Sequence, residues 1–296
     1  MASEQFDTFE TAQKNLVITG PTASGKTDYA LALARADSKI EIVSADASLL
    51  YRGLDIGTAK PSKETIAEIP HHLIDLLEPS EPFSAADYSV RARSAIREII
   101  SRGKTPIVVG GTGLYIDALF EGLPSLDIPN EELAKARERA KREIAEFGFD
   151  AMHERLREID PELYVQIRRE RNPIRLERAW THYYATGEPL GEARKRIPEP
   201  FEFKPEYRVL TIPRPELWRR IEARVDEMLA QGWLREVEGL TQRGVTRAMP
   251  AMRAHGYREL FDVVQDTLSL DAARESIIIQ TRQYAKRQAT WMKKYG

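Results

Sequence analysis

The chain has 296 residues, 42% hydrophobic and 30% charged, with a formal net charge of −2. That length suits one large domain or two modest ones, and the near-neutral balance means that any nucleic-acid site has to be a local basic patch. There is no cysteine, which excludes disulfides, thiol nucleophiles and cysteine-ligated zinc together.

Residues 1–14 are polar and acidic without an apolar signal core, and no later run approaches a membrane span. A cytoplasmic protein with no membrane partner is therefore expected. Residues 16–19 form an apolar run that predicts a buried strand. It leads directly into Gly20-Pro21-Thr22-Ala23-Ser24-Gly25-Lys26-Thr27 and a helical pattern. This is a G-x-x-x-x-G-K-T phosphate loop in strand–loop–helix context. Gly20 and Gly25 let the backbone curl so that successive N–H groups face a phosphate, and the following helix adds its positive end. Lys26 supplies a point charge and the Thr27 hydroxyl suits Mg²⁺. A chance glycine turn is the competing reading; the strand and helix on either side argue against it.

Residues 40–44 predict a second strand, followed by Asp46. In an open parallel sheet ligands bind at the carboxyl ends of strands. Asp46 there suits three roles: Mg²⁺ ligand, general base, or N-cap of a short helix. Its strand is expected one over from that of the phosphate loop. His71 and His72 tempt a metal reading, but adjacent histidines do not face one site on a regular element and no further ligands lie near. A helix over 85–102 and a third strand over 106–109 lead into Gly110-Gly111-Thr112-Gly113. This is either a tight strand-to-helix turn or a second functional loop, and its convergence with Asp46 and the phosphate loop favours function.

Residues 122–129 read as a punctuated linker. Residues 130–196 are charge-rich and helical, broken at Asn172-Pro173 and Gly187, and carry a basic cluster from Arg168 to Arg178. Residues 207–212 return to a strand pattern, and 215–230 and 271–295 predict long amphipathic helices. The order of elements implies an α/β fold: a P-loop NTPase-like parallel-sheet core with an all-helical insertion domain. The core is expected over 1–125 and 202–296, the insertion over 130–200. From Ser276 onward the chain holds five Lys or Arg and no Asp or Glu, with Tyr284, Trp291 and Tyr295 interleaved. Basic residues among aromatics suit a nucleic-acid backbone and stacked bases, although a solvated helix face has the same composition.

The phosphate loop, residues 46–51, Asp55-Ile-Gly-Thr-Ala-Lys-Pro61, Pro70-His-His-Leu-Ile-Asp75, Gly110-Gly-Thr-Gly-Leu-Tyr115 and Thr281-Arg-Gln-Tyr-Ala-Lys-Arg-Gln-Ala-Thr-Trp291 together resemble the bacterial tRNA dimethylallyltransferase family. Each motif alone occurs in other phosphate-loop enzymes; the ordered set, spanning about residues 15–291, is specific. The resemblance implies transfer of a dimethylallyl group from dimethylallyl diphosphate to the N6 amino group of the adenine 3′-adjacent to the anticodon of tRNA. It implies that the phosphate loop holds the donor's diphosphate, with Arg214 and Arg220 assisting and Mg²⁺ on Thr27. Asp46 becomes the general base and Thr112 a hydrogen-bonding group near the reacting centre. The anticodon stem-loop contacts implied are Asp46, Ala47, Ser48, Leu49 and Thr112; Ile174, Arg175, Leu176, Glu177 and Arg178; Arg253, Ala254, His255, Gly256, Tyr257 and Arg258; and Arg282, Lys286 and Arg287. The chain departs from the family pattern at Ala47 and Leu49, where Ser and Gln are usual, and at Asn172, where Asp is common.

Three other readings fit parts of the sequence: an adenylate isopentenyltransferase acting on free nucleotide, a small-molecule phosphate-loop kinase, and a non-catalytic RNA-binding protein. The first has no use for a basic insertion and tail. The second would need a lid-like arginine motif. The third would not need Lys26, Thr27, Asp46 and Thr112 together. A monomer is expected.

Overall fold

The computed structural model describes residues 15–123, 128–196 and 200–296. The polar leader 1–14 and half of the linker expected over 122–129 lie outside them. Backbone contacts divide the chain into two units, one running to Phe120 and resuming at Phe201, the other Glu121–Pro200.

The first unit begins β1 (Asn15–Thr19), α1 (Lys26–Ala36), β2 (Ile40–Ser44), α2 (Lys63–Glu68) and β3 (His71–His72). It continues α3 (Ala85–Ser101), β4 (Thr105–Gly110) and α4 (Gly113–Phe120). The five strands, β5 (Pro205–Val209) included, form one sheet of order β3-β2-β4-β1-β5 in which every pairing is parallel. The register sets Val17 beside Val108 and Ile42 beside Ile107.

The central strands are apolar on both faces because both faces are covered. Ile18, Ile42, Ile107 and Val109 pack with Ala30 and Ala34 of α1. Val17, Val43 and Val108 point the other way, into a larger core with Tyr88, Ile96 and Ile99 of α3 and Ile116 and Leu119 of α4. Each fully buried Val or Ile contributes on the order of 1.5–3 kcal/mol, enough that a one-residue slip of the central strands is not tolerated.

The order corrects one expectation. β4 lies between β1 and β2, so Asp46 follows a strand two places from that of the phosphate loop, not one. Local patterning marks strands but does not fix their order. β5 also starts and ends earlier than the expected 207–212, and the two-residue β3 and helix α2 were not anticipated.

The second unit is built from α5 (Asn130–Phe147), α6 (Phe149–Ile159), α7 (Pro161–Glu170), α8 (Pro173–Thr186) and α9 (Leu190–Lys195). Its described residues contain no strand. Met152, Leu156, Leu163, Ile167, Leu176 and Trp180 form its core. The Asn172 side chain caps α8 by accepting from the Ile174 and Arg175 amides, and Gly187 ends it in the left-handed region at φ 74°. After β5 the first unit closes with α10 (Arg214–Ala230), α11 (Trp233–Gln242), a 3₁₀ turn (Pro250–Arg253), α12 (Tyr257–Val264) and α13 (Leu270–Met292). Of these, α11 and α12 were not anticipated.

Candidate active site

Because all strands run the same way, the loops after β1, β2 and β4 emerge at one sheet edge. The loop after β1 turns at Gly25, whose φ of 84° is the left-handed region that a side chain disfavours. α1 starts there with no side chain capping its first amides. The Ser24 hydroxyl beside it is buried without a hydrogen-bond partner. An uncapped helix N-terminus with an orphaned hydroxyl is an anion cradle. Burial pulls the Lys26 ammonium down to about 8; nearby Asp46 opposes that shift and Arg224 adds to it.

The other two loops are tied together. The Thr112 hydroxyl accepts from the Ala47 amide at 3.2 Å, and the Thr112 amide donates to the Ala45 carbonyl at 3.1 Å. A Cβ on Gly110 would collide with the backbone of Ala45, so glycine is required for the loops to approach. Asp46 accepts from the Ser48 amide at 2.9 Å through Oδ1. That bond closes a turn over residues 47–50; no helix follows β2 there, so the helix N-cap role weighed from sequence is not what Asp46 does.

A cavity of about 120 Å³ opens on this edge. Thr22, Lys26 and Thr27 line it from the phosphate loop, Asp46, Ser48 and Leu49 from the loop after β2, and Gly110 from the end of β4. Thr112 is not among the lining residues; it acts on the site by holding the backbone next to Asp46.

Helices supply the rest. Ile221, Arg224, Val225 and Met228 present one face of α10, Trp233 opens α11, and Ile277, Thr281, Tyr284 and Gln288 present one face of α13. Gln288 is buried and spans two motifs: its Oε1 accepts from the Thr22 amide at 2.8 Å and its Nε2 donates to the Gly111 carbonyl at 2.9 Å. The Tyr284 ring lies 4.3 Å from that of His255. Burial holds the Tyr284 phenol well above its usual value, with Asp46 adding to the effect. Burial and Arg287 hold His255 below its usual value, favouring neutral imidazole.

Several expected residues lie elsewhere. Arg214 stacks on Trp218, 4.1 Å from the ring centre, and Arg220 pairs with Glu216 at 2.9 Å. Neither lines the cavity. The α10 arginine that does is Arg224, which sequence reasoning missed; its spacing of four from Arg220 was the available signal. Leu176 and Tyr257 are corrections to the expected tRNA contacts, because neither has any exposed surface. Leu176 belongs to the core of the second unit, and the Tyr257 hydroxyl donates to Glu236 at 2.6 Å. Gly256 is also buried. Glu177 pairs with Arg137 at 2.8 Å, while Ile174 is 73% exposed and Arg178 is exposed. Arg253, Lys286 and Arg287 are exposed, Arg258 is half-buried, and Arg282 donates to Glu222 at 2.9 Å. Ala254 and His255 line the cavity. His71 lines it too, but His72 turns to Glu41 at 2.7 Å. Among the described residues no group of three metal-ligating His, Cys, Asp or Glu side chains occurs.

A parallel sheet with an uncapped phosphate loop and a lysine, an arginine and a carboxylate lining one cavity defines a P-loop NTPase-like enzyme of the group-transfer class. The family model described as "IPP transferase" matches residues 49–295, and the chain belongs to that family. Among curated relatives, tRNA dimethylallyltransferase 1 of Pelobacter propionicus is 47% identical over 93% of this chain and 88% of its own. The tRNA dimethylallyltransferase of Alkalilimnicola ehrlichii is 44% identical over 94% and 87%. The crystal structure of the Bacillus halodurans tRNA isopentenylpyrophosphate transferase is 35% identical, with a TM-score of 0.64 over 95% of this chain and 87% of that one. A eukaryotic dimethylallyltransferase acting on tRNA, 27% identical, reaches 0.76 over 95% and 70%.

Proposed function

We propose that this enzyme transfers a dimethylallyl group from dimethylallyl diphosphate to the N6 amino group of the adenine 3′-adjacent to the anticodon in tRNA. The observation that carries the reading is one cavity holding an anion cradle with Lys26 and Arg224, a carboxylate at Asp46, and an apolar helical wall. Family membership supports it.

In this reading the diphosphate rests on the phosphate-loop amides, Lys26 and Arg224. The partnerless Ser24 hydroxyl and the Thr27 side chain facing the cavity are oxygen donors of the class that suits Mg²⁺. Thr27 would hold the ion, which when bound supplies charge to the leaving diphosphate. The flipped-out adenine presents N6 to the allylic carbon. The nitrogen–carbon bond forms as the carbon–oxygen bond to diphosphate breaks. Asp46 takes the proton that N6 must lose, because the amino lone pair is delocalised into the ring and the nitrogen is a poor nucleophile until deprotonated. The electron pair of the broken bond leaves with the diphosphate toward Lys26 and Arg224. ATP has no part in this balance.

For the tRNA, exposed Ile174 and Arg178 and half-buried Arg175 of the second unit are the proposed contacts there, with Arg253, Arg258, Lys286 and Arg287 on the first. The protein is read as a cytoplasmic monomer. The test is incubation with labelled dimethylallyl diphosphate and unmodified tRNA, AMP, or ATP with small acceptors. Label in tRNA at the expected adenine without ATP hydrolysis supports the reading. Label in AMP alone, or stoichiometric ATP consumption, replaces it with one of the rivals.

A further inference from the structure

The donor's allylic chain has to lie on the apolar side of the cavity, since the cradle takes its diphosphate. Trp233 is among the residues lining the cavity, is 1% exposed and is one of the largest fully buried side chains. Three features fix the indole in place. Gly57 and Gly256 flank it, and a Cβ at either glycine would overlap the ring. Tyr257 meets it edge-on with ring centres 5.6 Å apart. One turn along α11, Glu236 accepts from the Asp55, Ile56 and Gly57 amides at 2.9, 2.7 and 3.4 Å, which clamps the Gly57 segment against the ring.

The indole N–H has no hydrogen-bond partner. A buried tryptophan ordinarily finds one, so this ring is placed for its volume and shape rather than for a polar anchor. Being wedged between two backbones, it cannot swing aside to admit a longer chain.

We infer that Trp233 sets the length of the allylic chain, admitting a five-carbon diphosphate and rejecting a ten-carbon one. This rests on the functional reading above and names the residue that limits its donor class. A misfit of a single methylene in an apolar pocket is worth about 10- to 200-fold in specificity, and the ten-carbon donor carries five further carbons.

The experiment compares dimethylallyl and geranyl diphosphate with the full chain and tRNA, in wild type, Trp233→Phe and Trp233→Leu. The wild type is expected to use the first and discriminate against the second. In both variants the ratio of kcat/KM for geranyl over dimethylallyl diphosphate should rise about tenfold or more, chiefly through a lower KM for the longer donor. Gly57→Ala, whose Cβ would overlap the wedged ring, should lower kcat/KM for dimethylallyl diphosphate, and adding Trp233→Phe should restore part of it.

A ratio that moves less than about threefold in variants of near-native melting temperature overturns the inference, as does an equal loss for both donors. Displacement of bound inorganic diphosphate by each donor gives the same ratio without turnover. That readout decides the inference even if no transfer to tRNA occurs, an outcome that would instead sink the functional reading.

Discussion

The two sides of the cavity are built by different rules. The strand-edge side is made of short loops whose work is done by backbone: the uncapped first turn of α1, the Gly110 approach to Ala45, and Thr112 holding Ala47. The helical side is made of side chains from α10, α11 and α13, brought in from residues 221 to 288. A loop that cradles phosphate has to be local, because consecutive amides must converge on one anion. A wall for an apolar group needs only surface of the right shape, which any packed helix supplies. Gln288 joins the two by bonding Thr22 and Gly111 at once.

The sharpest break between the sides is chemical. Asp46→Asn keeps the shape and removes the proton acceptor, so turnover should fall by roughly a hundredfold to ten-thousandfold while donor binding survives. Equal loss of donor binding would make Asp46 a diphosphate or metal residue instead. Lys26→Ala should cost about a hundredfold or more in rate, since a charge-assisted contact to the leaving group is worth several kcal/mol; single-turnover kinetics reads it.

Arg224→Ala tests whether the helical side reaches the diphosphate. Donor affinity measured by calorimetry should drop about tenfold to a hundredfold, the worth of a hydrogen bond to a charged group. Arg220→Ala, already paired with Glu216 at the surface, should change it less than about threefold. Equal effects would mean that both arginines reach the donor.

The pH dependence follows from Lys26. Burial favours its neutral amine and lowers it to about 8, whereas diphosphate binding requires the ammonium. Affinity should therefore be constant well below pH 8 and weaken toward about tenfold per pH unit above it, with proton uptake on binding. A flat profile to pH 10 would show that Lys26 keeps its charge in the free enzyme. The smallest effect expected is on salt dependence. Neutralising Lys286 and Arg287 should flatten the tRNA salt slope by up to about 0.7–0.9 log units per lost contact. Adding Arg282, which Glu222 already engages, should contribute less. An unchanged slope would return this face of α13 to ordinary solvated helix.

The phosphate loop, Asp46 and Gly110–Gly113 were legible because each lies within a few residues of a strand end, where local pattern and chemistry coincide. The apolar runs that marked the central strands were legible for the same reason: Val17 and Ile18, or Val108 and Val109, serve opposite covered faces of one sheet. Strand order was not, since β4 enters between β1 and β2 through pairings some sixty to ninety residues apart in the chain. Nor was the choice of Arg224 over Arg220, which depends on where along its axis α10 meets the sheet edge. The basic and aromatic composition of the tail was plain, but composition does not say which helix face is covered. Packing of α13 turned Tyr284 and Gln288 inward and left Lys286 and Arg287 outside. The sequence by itself determined the fold class and the phosphate cradle, because both rest on neighbouring residues. The tertiary structure alone decided the helical wall, because Trp233, Arg224 and Gln288 acquire their roles only from contacts with distant segments.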